Sequence, residues 1–72
     1  MAVSCALYDE IELACLRRSR VKIRFFSGKE IEGKAMDTLI NDQRQECLQV
    51  ESGGRQVIII LEQITQFETM GS

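Results

Sequence analysis

The side chains that most often carry catalysis or hold metal ions occur in this chain without their usual partners. There are three cysteines, Cys5, Cys15 and Cys47, with no Cys-x-x-Cys spacing, and there is no histidine. A zinc site or a Cys–His nucleophile therefore lacks half of its groups. We expect no catalytic residue, no metal site and no cofactor, and we expect the cysteines to be reduced and to serve in packing.

Recognition of a partner is a second chemistry, and residues 7–18 have the pattern for it. Apolar residues recur there at the spacing of one helix face, which predicts a buried stripe of Leu7, Ile11, Ala14 and Cys15. The opposite side carries a set that we call the acidic helix face: Asp9, Glu12, Leu13 and Leu16. This set is either a solvated surface with scattered leucines or an acidic docking surface. Tyr8 beside it is either an amphipathic anchor or a half-buried aromatic near the helix end.

The rest of the chain reads as short strands. Apolar and charged residues alternate on both sides of a turn at Gly28, which predicts an antiparallel hairpin. Gly33, inside its second strand, marks a bend, a bulge or a close approach by another backbone. The run from Val57 to Leu61 is apolar on both faces. Ile58 and Ile60 are therefore either covered by other parts of the protein or lie on an exposed edge strand that can pair with another chain.

These patterns predict a single domain over residues 1–72, mainly β with one N-terminal helix. The expected bounds are a helix over about 7–18 and strands over about 20–27, 29–39, 45–51, 55–61 and 64–68.

Composition narrows the classes of partner. The net charge of −2 and the pI near 5.0 leave no basic excess for nonspecific phosphate binding. No apolar run approaches the length of a membrane span, and no secretory signal is apparent. We expect a cytoplasmic protein that contacts neither membrane nor, directly, nucleic acid.

The predicted order of elements resembles the Sm-like, or SH3-type, five-stranded antiparallel barrel. The first hairpin also resembles the first Sm sequence motif in Gly28, Gly33, Asp37 and Asn41. Sm proteins that bind RNA usually have a longer gap between the second glycine and the Asp, and a basic residue followed by glycine between strands four and five. Here that corner is Leu61-Glu62-Gln63-Ile64. The resemblance implies the architecture, whereas the residues argue against Sm-type RNA binding.

A second resemblance covers nearly the whole chain. The segment CALYDEIELAC at residues 5–15 is similar to the Cys-x-x-Tyr-Asp-x-x-Glu-x-Ala-Cys signature of the bacterial Rho-binding antiterminator (Rof) family. The similarity continues from Gly28 to Asp37 and through Ile64-Thr65-Gln66-Phe67, with a length difference in the loop between strands two and three.

Membership of the Rof family would imply antitermination. The family binds the transcription termination factor Rho, a hexameric RNA-dependent helicase, at its N-terminal RNA-binding domain and blocks the loading of RNA. The resemblance assigns partner binding to helix and loop residues, namely Tyr8, Asp9, Glu12, Leu13, Leu16 and Arg44. The alternative is an Sm-like RNA-binding module, which needs an oligomeric ring with a basic pore, whereas we expect a monomer.

Overall fold

The computed structural model describes residues 5–70, which form one helix and five strands. Residues 1–4, 71 and 72 of the predicted domain lie outside the described part. The elements are α1 (Cys5–Arg17), β1 (Arg20–Phe25), β2 (Glu30–Ile40), β3 (Glu46–Ser52), β4 (Arg55–Ile60), a one-turn 3-10 helix (Leu61–Gln63) and β5 (Ile64–Met70).

All of these bounds lie within two residues of the expected ones, and two of the differences have clear causes. β1 ends at Phe25 because the next N–H, that of Phe26, donates to the carbonyl of Gln63 in the 3-10 helix, at 3.1 Å, and not to a strand. β5 continues to Met70 because it pairs along the whole of β1, with Met70 opposite Arg20. Pairing between distant segments thus decides where both strands end.

The strands form one antiparallel sheet in the order β4-β3-β2-β1-β5. β2 is the central strand, and its pairing with β3 shifts register between Ala35 and Asp37, which leaves Met36 as a bulge. Gly33 lies where β3 approaches closely. A Cβ atom built on Gly33 would collide with the carbonyl oxygen of Glu51 and would lie 2.6 Å from Cγ1 of Val50.

The core lies between α1 and the sheet. The predicted helix stripe is confirmed, because Ile11, Ala14 and Cys15 are buried and Leu7 packs against them. Their partners come from every strand and from the 3-10 helix: Val21, Ile23, Ala35, Leu48, Val50, Ile59, Leu61 and Ile64. Burying this apolar surface is the main favourable contribution to folding of so short a chain.

β4 and β5 are the two edge strands of the sheet. They are joined through the 3-10 helix, and no strand ladder pairs them with each other within residues 5–70. Along β4, Ile59 is buried in the core, whereas the neighbouring residue Ile58 is 51% exposed. No helix in the described part of the chain is long and apolar enough to cross a membrane.

Candidate partner-binding site

The acidic helix face lies opposite the side of α1 that packs on the sheet. Leu16 is 81% exposed and Leu13 is 46% exposed, and both carboxylate residues, Asp9 and Glu12, are also exposed. Neither carboxylate forms an ion pair with another residue in the range 5–70. The face therefore offers two uncompensated negative charges next to two leucines in contact with solvent.

The helix dipole does not account for these carboxylates. Residues 5–17 are all helical, so the first turn contains no acidic residue and Asp9 lies in the second turn. The field of the dipole stabilises charges mainly within the first turn. Since α1 begins earlier than the sequence pattern predicted, the dipole supplies little reason for Asp9 and Glu12.

Tyr8 occupies a different environment from the rest of the predicted site. Its side chain is half-buried and packs against the core cluster. This packing fits the structural alternative raised by the sequence, although a half-buried tyrosine also presents part of its ring to a partner. Its role in partner binding stays a prediction.

A cavity of about 310 Å³ adjoins one flank of the acidic helix face. Glu12 and Leu16 line it from the helix, Arg18 lines it just after the helix, and Met36, Asp37 and Thr38 line it from β2. Asp37 therefore adds a third carboxylate to this surface, and it was not among the predicted site residues. The only sequence signal for it was its position at the end of the Gly28–Asp37 pattern, since its proximity to α1 depends on the bulge at Met36.

Cys15 also lines this cavity and is buried. Burial raises the pKa of its thiol above the usual 9.0, the negative charges of Asp37 and Glu12 raise it further, and Arg18 opposes them. The thiol is therefore held protonated at neutral pH, which is unlike a reactive cysteine. No group of three or more His, Cys, Asp or Glu residues within the described range is placed to hold a metal ion.

Arg44 lies apart from the helix, in the loop that follows β2. Its backbone is in the left-handed region, with φ of 62°, and its N–H donates to the carbonyl of Asn41 at 3.0 Å. The side-chain oxygen of Asn41 accepts from the N–H groups of Gln43 and Gln45, each at 2.9 Å. The loop is thus well ordered by hydrogen bonds, and Arg44 lines neither of the two cavities beside α1. Its role in binding also stays a prediction.

A family model and two curated relatives place the chain in the same family. A family model described as "Modulator of Rho-dependent transcription termination (ROF)" matches residues 2–72. The chain is 32% identical over 65 residues to "Protein rof" of Escherichia coli K12, a match that covers 90% of this chain and 76% of the relative. The protein of the same name from Shigella flexneri matches with the same identity and coverage.

Two solved structures are similar in fold. YaeO from Vibrio cholerae O395, bound to magnesium, superposes with a TM-score of 0.82 at 35% identity, covering 90% of this chain and 84% of that one. The pleiotropic translational regulator Hfq superposes with a TM-score of 0.71 at 17% identity, covering 90% and 98%. The likeness to Hfq concerns the fold alone, and it confirms the predicted Sm-like architecture.

Proposed function

The chain belongs to the Rof family of modulators of Rho-dependent transcription termination, and we propose that it acts by binding Rho itself through the acidic helix face. It docks on the N-terminal RNA-binding domain of Rho and blocks the loading of RNA, so that termination fails. The action is steric and electrostatic and involves no catalytic step. It takes place in the bacterial cytoplasm, where Rho meets the nascent transcript.

The exposure of Leu16 beside Asp9 and Glu12, two carboxylates without an ion-pair partner in residues 5–70, carries this proposal. A leucine that is 81% exposed on a short helix adds nothing to the core, whereas it can exclude water when a partner covers it. A cleft that binds RNA is rich in Arg and Lys, because it must neutralise phosphates. Asp9 and Glu12 can pair with the same cations, so protein and RNA compete for them.

Asp37 extends this surface beyond the helix. Glu12 and Asp37 line one cavity from two different elements, so a basic side chain of the partner that enters the cavity meets two carboxylates, against a single cation, Arg18. Two fixed elements hold these groups at a set spacing, which favours specific docking over general attraction between charges.

Two features support a protein partner and argue against RNA as the direct ligand. The net charge of the chain is −2, which disfavours approach to phosphates. The corner between β4 and β5 carries exposed Glu62 and Gln63, where RNA-binding Sm proteins usually have a basic residue and a glycine. We propose that the protein acts as a monomer.

Charge reversal on the helix tests the mechanism. We expect Asp9→Arg and Glu12→Arg each to weaken binding to purified Rho by ~2–5 kcal/mol if the carboxylate is desolvated in the complex, and by less at the rim. Because both residues are exposed, folding should be nearly unaffected. Binding is measured by titration calorimetry, and inhibition by readthrough of a Rho-dependent terminator in vitro.

Glu68→Arg is the control, since Glu68 is an exposed carboxylate on β5 rather than on the helix. If both helix variants stay folded and inhibit Rho like the wild type, the acidic-helix mechanism is wrong. Tight binding of a short oligouridine by the free protein would instead favour the Sm-like RNA-binding alternative.

A further inference from the structure

A groove on the other flank of α1 carries the opposite charge. It has a volume of about 720 Å³ and lies between the C-terminal end of the helix and strands β1, β2 and β5. Four of the nine Lys and Arg residues in the chain line it, and we call it the basic groove: Arg17, Arg18, Arg20 and Lys34. Arg18 also lines the cavity on the acidic flank, where its guanidinium lies 3.7 Å from the sulfur of Met36. The acidic residue among its lining side chains is Glu10.

Two of these cations face each other across the sheet. Arg17 lies in the last turn of α1 and Arg18 directly follows it, where positive charge is favoured by the helix dipole. Arg20 and Lys34 lie directly opposite each other across the β1–β2 ladder. Like charges at facing positions of two strands destabilise the pair. Neither residue forms an ion pair with another residue in the range 5–70, although Glu51 faces Lys34 from β3.

The shape and lining of the basic groove favour a polypeptide ligand. Its apolar part is formed by Leu13, Ala14 and Met70, which suits a side chain of a peptide. No aromatic residue is among the side chains that line it, so it offers no surface on which bases could stack. Arginine side chains, in contrast, bind carboxylates through two parallel hydrogen bonds.

Leu13 connects the two surfaces. It belongs to the acidic helix face and also lines the basic groove. On the premise that Rho is the partner of the acidic helix face, we propose that the basic groove binds an acidic segment of the same partner. The partner then contacts α1 on both flanks, with a basic cleft on one side and carboxylates on the other, and this arrangement of charges determines its orientation.

Arg20→Glu is the decisive variant, because it reverses a groove charge without endangering the fold. It replaces a repelling pair with a Glu opposite Lys34, so the melting temperature should be equal or higher. Binding to purified Rho should weaken by about tenfold. Arg17→Gln, which removes a second groove charge, should weaken binding in the same direction.

Lys29→Glu is the matched control. Lys29 is exposed and lies just before β2, at the turn end of the hairpin, whereas Arg20 lies at its open end. The variant makes the same change in net charge, so its affinity for Rho should stay at the wild-type value. If Lys29→Glu and Arg20→Glu lose the same amount of affinity for Rho, net charge alone explains the loss and the proposed groove contact is overturned.

The remaining outcomes separate this inference from the proposed function. If Asp9→Arg loses Rho binding while Arg20→Glu and Arg17→Gln keep it, the groove inference fails alone. If the wild type does not bind Rho, or if none of these variants changes binding, both fail. A single-stranded RNA oligonucleotide that binds the free wild type and not Arg20→Glu would overturn the groove inference in favour of a nucleic-acid site.

Discussion

At the scale of single residues, Gly33 shows why one position in β2 has no room for a side chain. Its backbone is not in the left-handed region, so conformational freedom is not the reason. The reason is the close approach of β3, whose Glu51 carbonyl and Val50 side chain occupy the space of a Cβ atom. Of the three possibilities raised by the sequence, the structure selects the close approach and moves the bulge to Met36.

We therefore expect Gly33→Ala to lower the free energy of unfolding by ~1–3 kcal/mol, since even one added carbon overfills the space. Gly53→Asn is the control, because φ at Gly53 is +58°, no atom lies within 4 Å of the point that a Cβ would occupy there, and Asn tolerates this conformation. Urea unfolding measures both variants. Equal stability of Gly33→Ala and the wild type would show that β2 and β3 separate easily.

Cys15 is the other residue whose surroundings predict a measurable property. Since its pKa is raised chiefly by burial, the folded state favours the protonated thiol more than the unfolded chain does. Its contribution to stability is present below the pKa of the unfolded thiol and is lost as the pH rises through the higher pKa of the folded state.

We expect the stability of the wild type to fall more steeply between about pH 8 and 10 than that of Cys15→Ala, which lacks the titrating thiol. The measurement is urea unfolding across this range in the presence of a reductant. Parallel pH profiles for the two proteins would contradict a buried, protonated thiol at this position.

At the scale of elements, the edge strand β4 governs self-association. Within residues 5–70 the strand is hydrogen-bonded along one edge only, to β3, and Ile58 on it is 51% exposed. An exposed edge with an apolar residue can pair with another chain. Ile60, which the sequence grouped with Ile58, is half-buried and contributes less to this surface.

We expect light scattering to give the mass of one chain at micromolar concentration and a rising mass at much higher concentration. Ile58→Lys should remove that rise, because a charge on the edge opposes pairing. Phe26→Lys is the matched control: Phe26 is 72% exposed but lies in the turn after β1, outside any strand. A stable hexamer or heptamer at micromolar protein would contradict the monomer and favour a ring.

The helix is the element on which the two charged surfaces meet. Glu12 faces one flank with Asp37, and Arg17 faces the other with the strand cations. α1 thus has three functions in one short segment: a buried stripe, an acidic face and one wall of a basic groove. A helix of 13 residues can carry all three because each surface uses a different side of the helix, with Leu13 shared by two of them.

At the scale of the whole molecule, a small net charge conceals a strong separation of charge. The sum is −2, yet Glu12 and Asp37 line the cavity on one flank of α1, and Arg17, Arg20 and Lys34 line the groove on the other, with Arg18 at the boundary of both. Attraction between such a molecule and a partner with the reverse arrangement depends on orientation, which confers specificity more than affinity. Overall composition therefore argued against a general RNA binder but contained no sign of the basic groove.

The sequence by itself determined the local features of the protein. The period of the apolar residues in α1 identified the buried stripe and its exposed opposite side, and the turn at Gly28, where φ is +91°, was predicted from residue type. The resemblance in residues 5–15 identified the family that the full-length match confirms. These inferences depend on residues within a few positions of each other.

Only the tertiary structure decided which distant residues meet. The proximity of Asp37 to Glu12 requires the bulge at Met36, and the facing of Arg20 and Lys34 requires the register of β1 on β2. A shift of one residue in a strand moves each side chain to the other face of the sheet. Register is set by the packing of the whole core, so the acidic cavity and the basic groove had no signature along the chain.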